Sequence, residues 1–236
     1  MGINAQYAAT LGLSACNALR ETFPDGDHIR FHPIMHGADC AVNIIPDRME
    51  IESYVRGATQ EAINRENRKL NRALTGAALA MGAQVELHDR PGYAPEIHDP
   101  ELMRLTEACC KALVGEERVR FSYDAWGSAS SDFGDVTCVM PGVQFHASGA
   151  QGAGHGIDYV IADPVRACVN SAKAQLLLTD ALLQDGAAAA RSIIEHYQPA
   201  YPSIAAYLEA IDKVFLDKEA VVYNEDGSAA VDFVNA

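Results

Sequence analysis

Three residues offer chemistry from positions that their neighbours set apart. Asn43 stands in Ala41-Val42-Asn43-Ile44-Ile45-Pro46-Asp47, where an asparagine between apolar residues either accepts a tight turn or presents its amide to a ligand. Arg56 closes an alternating segment on its polar side. A guanidinium there grips a carboxylate through two parallel hydrogen bonds, or rests in a surface pair with Glu52. His155 comes from the glycine-rich stretch 149–156, where imidazole binds a metal, shuttles a proton or is simply solvated. His32, His36 and His146 carry the same alternatives, and because a metal needs three or four ligands a lone histidine does not define its site. The run 127–136, Gly-Ser-Ala-Ser-Ser-Asp-Phe-Gly-Asp-Val, is small and acidic ahead of an apolar segment, which suits the rim of a site as well as an ordinary turn.

Those residues need elements to hold them. Apolar positions Ala8, Leu11, Ala15, Leu19 and Phe23 recur at helical spacing until Pro24-Asp25-Gly26 stops them, so the spacing predicts an opening helix over 4–23. Residues 28–36 and 48–56 then alternate, Ile29, Phe31, Pro33 and Met35 against Arg30, His32 and His36, and Met49, Ile51 and Val55 against Glu50, Glu52, Tyr54 and Arg56. Both predict strands with one polar face. A second helix follows over 59–81, and Val85 and Leu87 mark a short strand. The order helix, strand, strand, helix, strand is a ferredoxin-like layer without its first strand, with Met1 at the point where that strand would end. Beyond the turn 90–95 the pattern predicts a helix over 100–114, strand-like pieces at 119–123 and 136–140, and a long helix over 163–183. That last helix starts at Asp163-Pro164, a capping residue followed by a proline in the first turn. The domain boundary falls near residue 95, giving 1–95 and 96–236, the latter ending in one or two amphipathic helices and a polar end.

Composition narrows the partners. Eighteen Lys+Arg against 32 Asp+Glu leave a net charge of −14, which excludes a broad phosphate-neutralising surface and hence nucleic acid. No run of apolar residues is long enough to span a bilayer, and no basic start precedes an apolar core, so the expected setting is cytoplasmic and away from membranes. Six scattered cysteines lack a C-x-x-C pair and are expected to be reduced packing thiols.

Taken together and in order, His32-Pro33-Ile34, the Asn43 segment, Val55-Arg56-Gly57, Gly92-Tyr93-Ala94-Pro95, Ser131-Asp132-Phe133-Gly134-Asp135-Val136 and Gly154-His155-Gly156 are carried along much of the chain, together with Gly2-Ile3-Asn4-Ala5 at its start. This ensemble resembles the zinc-dependent aminoacylase and carboxypeptidase family of peptidase clan MH, in particular its p-aminobenzoyl-glutamate hydrolases and N-acyl-amino-acid amidohydrolases. The resemblance implies an α/β (α+β) chain: a ferredoxin-like lid and dimerisation domain lacking its first strand, then the C-terminal half of a metallohydrolase α/β domain. It implies hydrolysis of the amide bond of N-acyl or N-aroyl amino acids, with Asn43 and Arg56 binding the substrate's carbonyl or carboxylate and His155 ligating zinc or manganese. It also implies a homodimer formed through the lid.

The departures shape the expectation equally. The family's first metal motif, its paired glutamates and its lid histidine all precede the lid segment matched here, and no His-x-Asp or Cys-x-His occurs in the sequence. Hydrolysis of this kind needs a polarised water and a base. The expectation is therefore a C-terminal portion, inactive alone or completed by a separate chain carrying the other half. The alternative is a non-catalytic dimerisation or scaffold module. A missing upstream half predicts exposed apolar surface on the helices at 100–114 and 163–183.

Overall fold

A computed structural model describes residues 2–37, 39–123, 126, 127 and 130–234. Met1, Ser128 and Ala129, named above, lie outside the described residues. The chain mixes helix and sheet and divides into two compact units, Met1–Pro95 with Ala205–Ala236, and Glu96–Ile204.

In the first unit helix α1 (Ala5–Ala18) starts where the Asn4 carboxamide oxygen accepts from the backbone N–H of Tyr7. Its Ala8, Gly12 and Cys16 are buried, and a methyl on Gly12 would lie 3.0 Å from a Leu74 methyl, so small residues let α1 approach its neighbour. That neighbour is α2 (Gln60–Ala80), capped by Thr59 and burying Ala62, Leu70, Ala77 and Ala78. Glu66 is wholly buried on the same helix, its carboxylate held by Lys69 Nζ at 2.7 Å and Arg65 Nε at 2.8 Å.

Strands β1 (Arg30–Gly37) and β2 (Met49–Arg56) form an antiparallel ribbon running from Arg30 opposite Arg56 to Gly37 opposite Met49. Strand β3 (Val85–Asp89) follows α2, so the element order matches the expected one. The ribbon and β3 lie in separate sheets.

The tail departs from expectation. Helix α6 (Ile204–Asp212) is followed by β6 (Leu216–Tyr223), which pairs antiparallel with β3, and by β7 (Ala229–Val231), which pairs with β6. Residues 205–236, expected with the second domain, thus return to the first unit. The cause is apolar patterning: Leu216 and Ala220 point inward on β6 and close a small core with Leu87, Val85 and Phe233, while Asp217 and Glu219 stay exposed. At the rim, Arg90 donates to the Leu216 carbonyl at 3.0 Å and to the Asp217 carboxylate at 2.6 Å.

In the second unit α3 (Pro100–Val114) begins at Asp99, whose carboxylate accepts from Leu102 N–H at 2.8 Å. The expected strand at 136–140 is instead the end of a short helix, α4 (Phe133–Thr137), and the turn after it. Gly134 and Asp135 N–H groups bond back to Ser131 and Asp132 carbonyls, and Thr137 returns its hydroxyl to the Gly134 carbonyl, which closes helical turns rather than a ladder. The piece expected at 119–123 belongs to no sheet among the described residues, because nothing there supplies a neighbouring strand. Two-residue strands β4 (Ala150–Gln151) and β5 (Val160–Ile161) bracket the glycine-rich loop.

The long helix starts as expected: Asp163 accepts from Arg166 N–H at 3.0 Å, a wide turn spans Val165–Val169, and α5 (Asn170–His196) continues it. Residues Gln184–Ala187 interrupt α5, Gln184 with extended and Asp185–Ala187 with left-handed backbone, at the position where the helical pattern over 163–183 ends. Exposed apolar side chains stand on this helix, with Val165, Leu176 and Leu183 each more than half exposed, whereas no large apolar residue of α3 is exposed. The expected patch is therefore present on one helix and not on the other. Among the described residues no helix is long and apolar enough to cross a membrane, and all six cysteines are free thiols. Burial pushes the Cys16 thiol up to about 11, as suits a packing residue.

Candidate functional site

Asn43 lies in the connection at the tip of the β1–β2 ribbon. Ile44 N–H bonds to the Ala41 carbonyl at 2.9 Å, which makes Val42-Asn43 the centre of a tight turn, and Asn43 is exposed there. The connection is tied down at Pro46, whose carbonyl accepts from Ala5 N–H at 3.0 Å. Both readings of Asn43 coexist in this arrangement: the backbone turns and the amide faces outward.

Arg56 ends β2 at the other end of the ribbon, half-buried, with its guanidinium 5.7 Å from the centre of the Tyr54 ring. Arg30 is its cross-strand neighbour, so two guanidinium groups flank one stretch of polar face. Met49 and Arg56, at the two ends of β2, are roughly 24 Å apart along the strand. Within one chain the structure therefore sets Asn43 and Arg56 at opposite ends of the ribbon rather than around one small ligand. Glu52, offered by the sequence as a partner for Arg56, instead faces His36 at 3.4 Å.

His155 occupies the loop between β4 and β5, in left-handed backbone at φ 64° and exposed. A non-glycine residue there carries a conformational cost, of the kind that persists where surroundings enforce it. The surroundings are visible: Gly156 N–H bonds to the Ala153 carbonyl at 2.7 Å, and the Gly149 carbonyl accepts both Ala162 and Asp163 N–H groups at 2.9 Å. Gly149 itself sits at φ 119°, and a side chain on it would fall 2.6 Å from the Asp163 carbonyl oxygen. The loop is fastened to the start of the long helix and offers an imidazole at its tip.

The Ser131 motif ends in a polar knot that the sequence reading did not find. Ser131 donates to Glu96 at 2.8 Å, His98 Nε2 stands 3.2 Å from the other Glu96 oxygen, and Gln144 brings its amide nitrogen to 3.1 and 3.2 Å of the two carboxylate oxygens. His98 also meets the Phe133 ring edge-on. The signal available was only Glu96 and His98 flanking the Tyr93–Pro95 turn. The knot joins the chain entering the unit to the loops at 131 and 144.

Among the described residues no three His, Cys, Asp or Glu side chains converge as a metal needs.

No family model matches the chain. Individual proteins do. It is 29% identical over 104 residues to an N-acetyldiaminopimelate deacetylase of Pediococcus pentosaceus, covering 44% of this chain and 26% of that protein. It is 29% identical over 151 residues to the Xaa-Arg dipeptidase of Mus musculus, covering 60% of this chain and 33% of that one. An N-acetyldiaminopimelate deacetylase of Limosilactobacillus fermentum shares 31% over 104 residues, 44% of this chain and 26% of its own. The class to which this chain is distantly similar is thus that of amidohydrolases and peptidases acting on acyl-amino acids or dipeptides. The particular proteins are a deacetylase and a dipeptidase, and the chain spans about a quarter to a third of their length.

Proposed function

We propose that this chain is the substrate-holding part of an amidohydrolase that splits the amide bond of N-acyl or N-aroyl amino acids, p-aminobenzoyl-glutamate being the model substrate. The observation that carries the reading is the run of partial similarity to a deacetylase and a dipeptidase, which spans up to 60% of the chain. Arg56 binds the substrate's carboxylate, a role suited to a half-buried guanidinium fixed against an aromatic ring. Asn43 supplies an outward amide for the carbonyl. His155 offers one nitrogen toward zinc or manganese, and hydrolysis requires further metal-binding groups from outside the described residues. The lid-like first unit forms a homodimer.

Calorimetric titration with p-aminobenzoyl-glutamate tests the reading. The expected outcome is binding that falls about tenfold or more in Arg56→Ala, with little turnover by this chain alone under added zinc or manganese. Binding indifferent to Arg56→Ala, or equal binding of the amide that lacks the free carboxylate, overturns it. A second reading is a non-catalytic dimerisation or scaffold module, supported by the β1–β2 ribbon that sets Asn43 and Arg56 at its opposite ends rather than around one ligand. That reading expects a stable dimer without affinity for acyl amino acids.

A further inference from the structure

We infer that Arg30 reads a second carboxylate on the substrate, so that the amino acid released is an acidic one such as glutamate. The inference deepens the amidohydrolase reading and rests on it. Arg30 and Arg56 are direct partners in the antiparallel ladder of the ribbon. Residues so opposed share a face and hold their Cβ atoms about 5 Å apart. Like charges at that spacing work against the pairing of the strands, yet the chain, with 18 Lys+Arg against 32 Asp+Glu, sets two of its few cations there. An anion placed between them turns the repulsion into attraction on both sides.

The carboxylates nearest in the fold are directed elsewhere. Glu50 and Glu52, on the same face of the ribbon, stand toward its other end, Glu50 opposite His36 and Glu52 facing that imidazole at 3.4 Å. Asp27, whose carbonyl accepts from Ala58 N–H at 2.8 Å just beyond β2, gives its carboxylate to Arg65. A guanidinium carries several N–H donors in a rigid fork, so neighbours that engage some of them leave others for a ligand.

The two arginines differ in a way that suits two different carboxylates. Arg56 is half-buried and its guanidinium lies 5.7 Å from the centre of the Tyr54 ring, whereas Arg30 is exposed. The fixed group takes the carboxylate common to all acyl amino acids, and the freer one takes the side chain that varies. In glutamate a three-carbon bridge separates the two carboxylates, a span that side chains rooted about 5 Å apart can grip together. A neutral side chain forgoes the second ion pair, and a basic one brings a third cation to the same face, so the arrangement disfavours both.

Calorimetric titration with p-aminobenzoyl-glutamate, p-aminobenzoyl-glutamine and p-aminobenzoyl-lysine separates the roles of the two arginines, because all three compounds keep the carboxylate assigned to Arg56. The wild type should bind the glutamate compound about tenfold more tightly than the glutamine compound, and the lysine compound most weakly. Arg30→Gln, with circular dichroism confirming a folded chain, should bind the glutamate and glutamine compounds alike, the latter as tightly as the wild type does. Arg30→Lys, which keeps the charge and loses the fork, should retain part of the preference. Arg56→Ala should weaken the binding of all three. Equal binding of the glutamate and glutamine compounds by the wild type, or a preference that survives in Arg30→Gln, overturns the inference and leaves the role of Arg56 standing. Binding of none of the three overturns both.

Discussion

In the first unit each alternating segment finds a neighbour, β1 with β2 and β3 with β6, whereas in the second unit the segments at 119–122 and 143–145 belong to no ladder among the described residues. The helices differ in the same way. Helix α2 buries Leu70 to 2% exposure between its neighbours, while Leu176 on α5 is left 70% exposed. An alternating pattern makes a sheet only where a second strand is present, and β3 became one because the tail delivers β6 to it. The largest break in this comparison is therefore the same truncation made in both units. Leu70→Ala should cost about 3 kcal/mol by transfer and cavity terms, and Leu176→Ala less than about 0.5 kcal/mol. Urea denaturation of the two variants measures both. Equal losses would show that α5 is as well packed as α2.

The order of the first unit was legible because its elements are local: helical spacing in α1 and α2 and alternation in the ribbon each act within a few positions. The beginning of the long helix at Asp163-Pro164 and its end before Gln184 were legible for the same reason. Strand β6 was not recognised, although Leu216, Lys218 and Ala220 alternate with Asp217 and Glu219, because its partner lies far away in sequence. The piece at 136–140 misled because Val136, Cys138 and Met140 alternate in composition while Thr137 and Cys138 are both buried in a turn of helix. Of the candidate site, the residue types were readable and their placement was not: nothing local says that Asn43 and Arg56 end on opposite ends of one ribbon, or that Glu96 gathers Ser131, His98 and Gln144.

The second unit holds its loop by backbone rather than by core, and this sharpens the contrast. Gly149→Ala would force a methyl within 2.6 Å of the Asp163 carbonyl oxygen and 2.7 Å of the Ala167 nitrogen, in a backbone conformation that disfavours any side chain. The expected loss is about 2 kcal/mol, confined to the second unit, as hydrogen exchange resolved by residue will show. Loss spread equally through the first unit would remove the distinction between them.

At the tip of that loop the sign reverses. His155→Gly relieves a left-handed residue and should raise stability by about 0.5 to 1 kcal/mol in a thermal melt. If the imidazole is retained for chemistry, the same variant should bind less zinc when equilibrated with the metal. A variant no more stable than the wild type would show that the surrounding hydrogen bonds, not the backbone of residue 155, set the loop's shape.

The smallest effect concerns the seam between β3 and β6 and depends on pH. His88 Nδ1 lies 2.7 Å from the Asp217 carboxylate, which raises the imidazole above its ordinary 6.5, with a lesser contribution from Glu86. Arg90 and then His88 hold Asp217 below its ordinary 3.8. A raised histidine contributes fully below 6.5 and loses its contribution as pH rises through the higher folded value. A lowered carboxylate contributes above 3.8 and loses it as pH falls through the lower one. The two overlap between those limits, and since both side chains are more than half exposed the contribution is small. The melting temperatures of wild type and His88→Gln should therefore differ most between the ordinary carboxylate and imidazole values and converge as pH rises past the raised value of His88. A difference that grows toward alkaline pH would mean that neutral His88 packs against β6 through its ring rather than through its charge. The charge of residue 88 would then add nothing to the ladder and the Arg90 bonds that already hold the tail to the first unit.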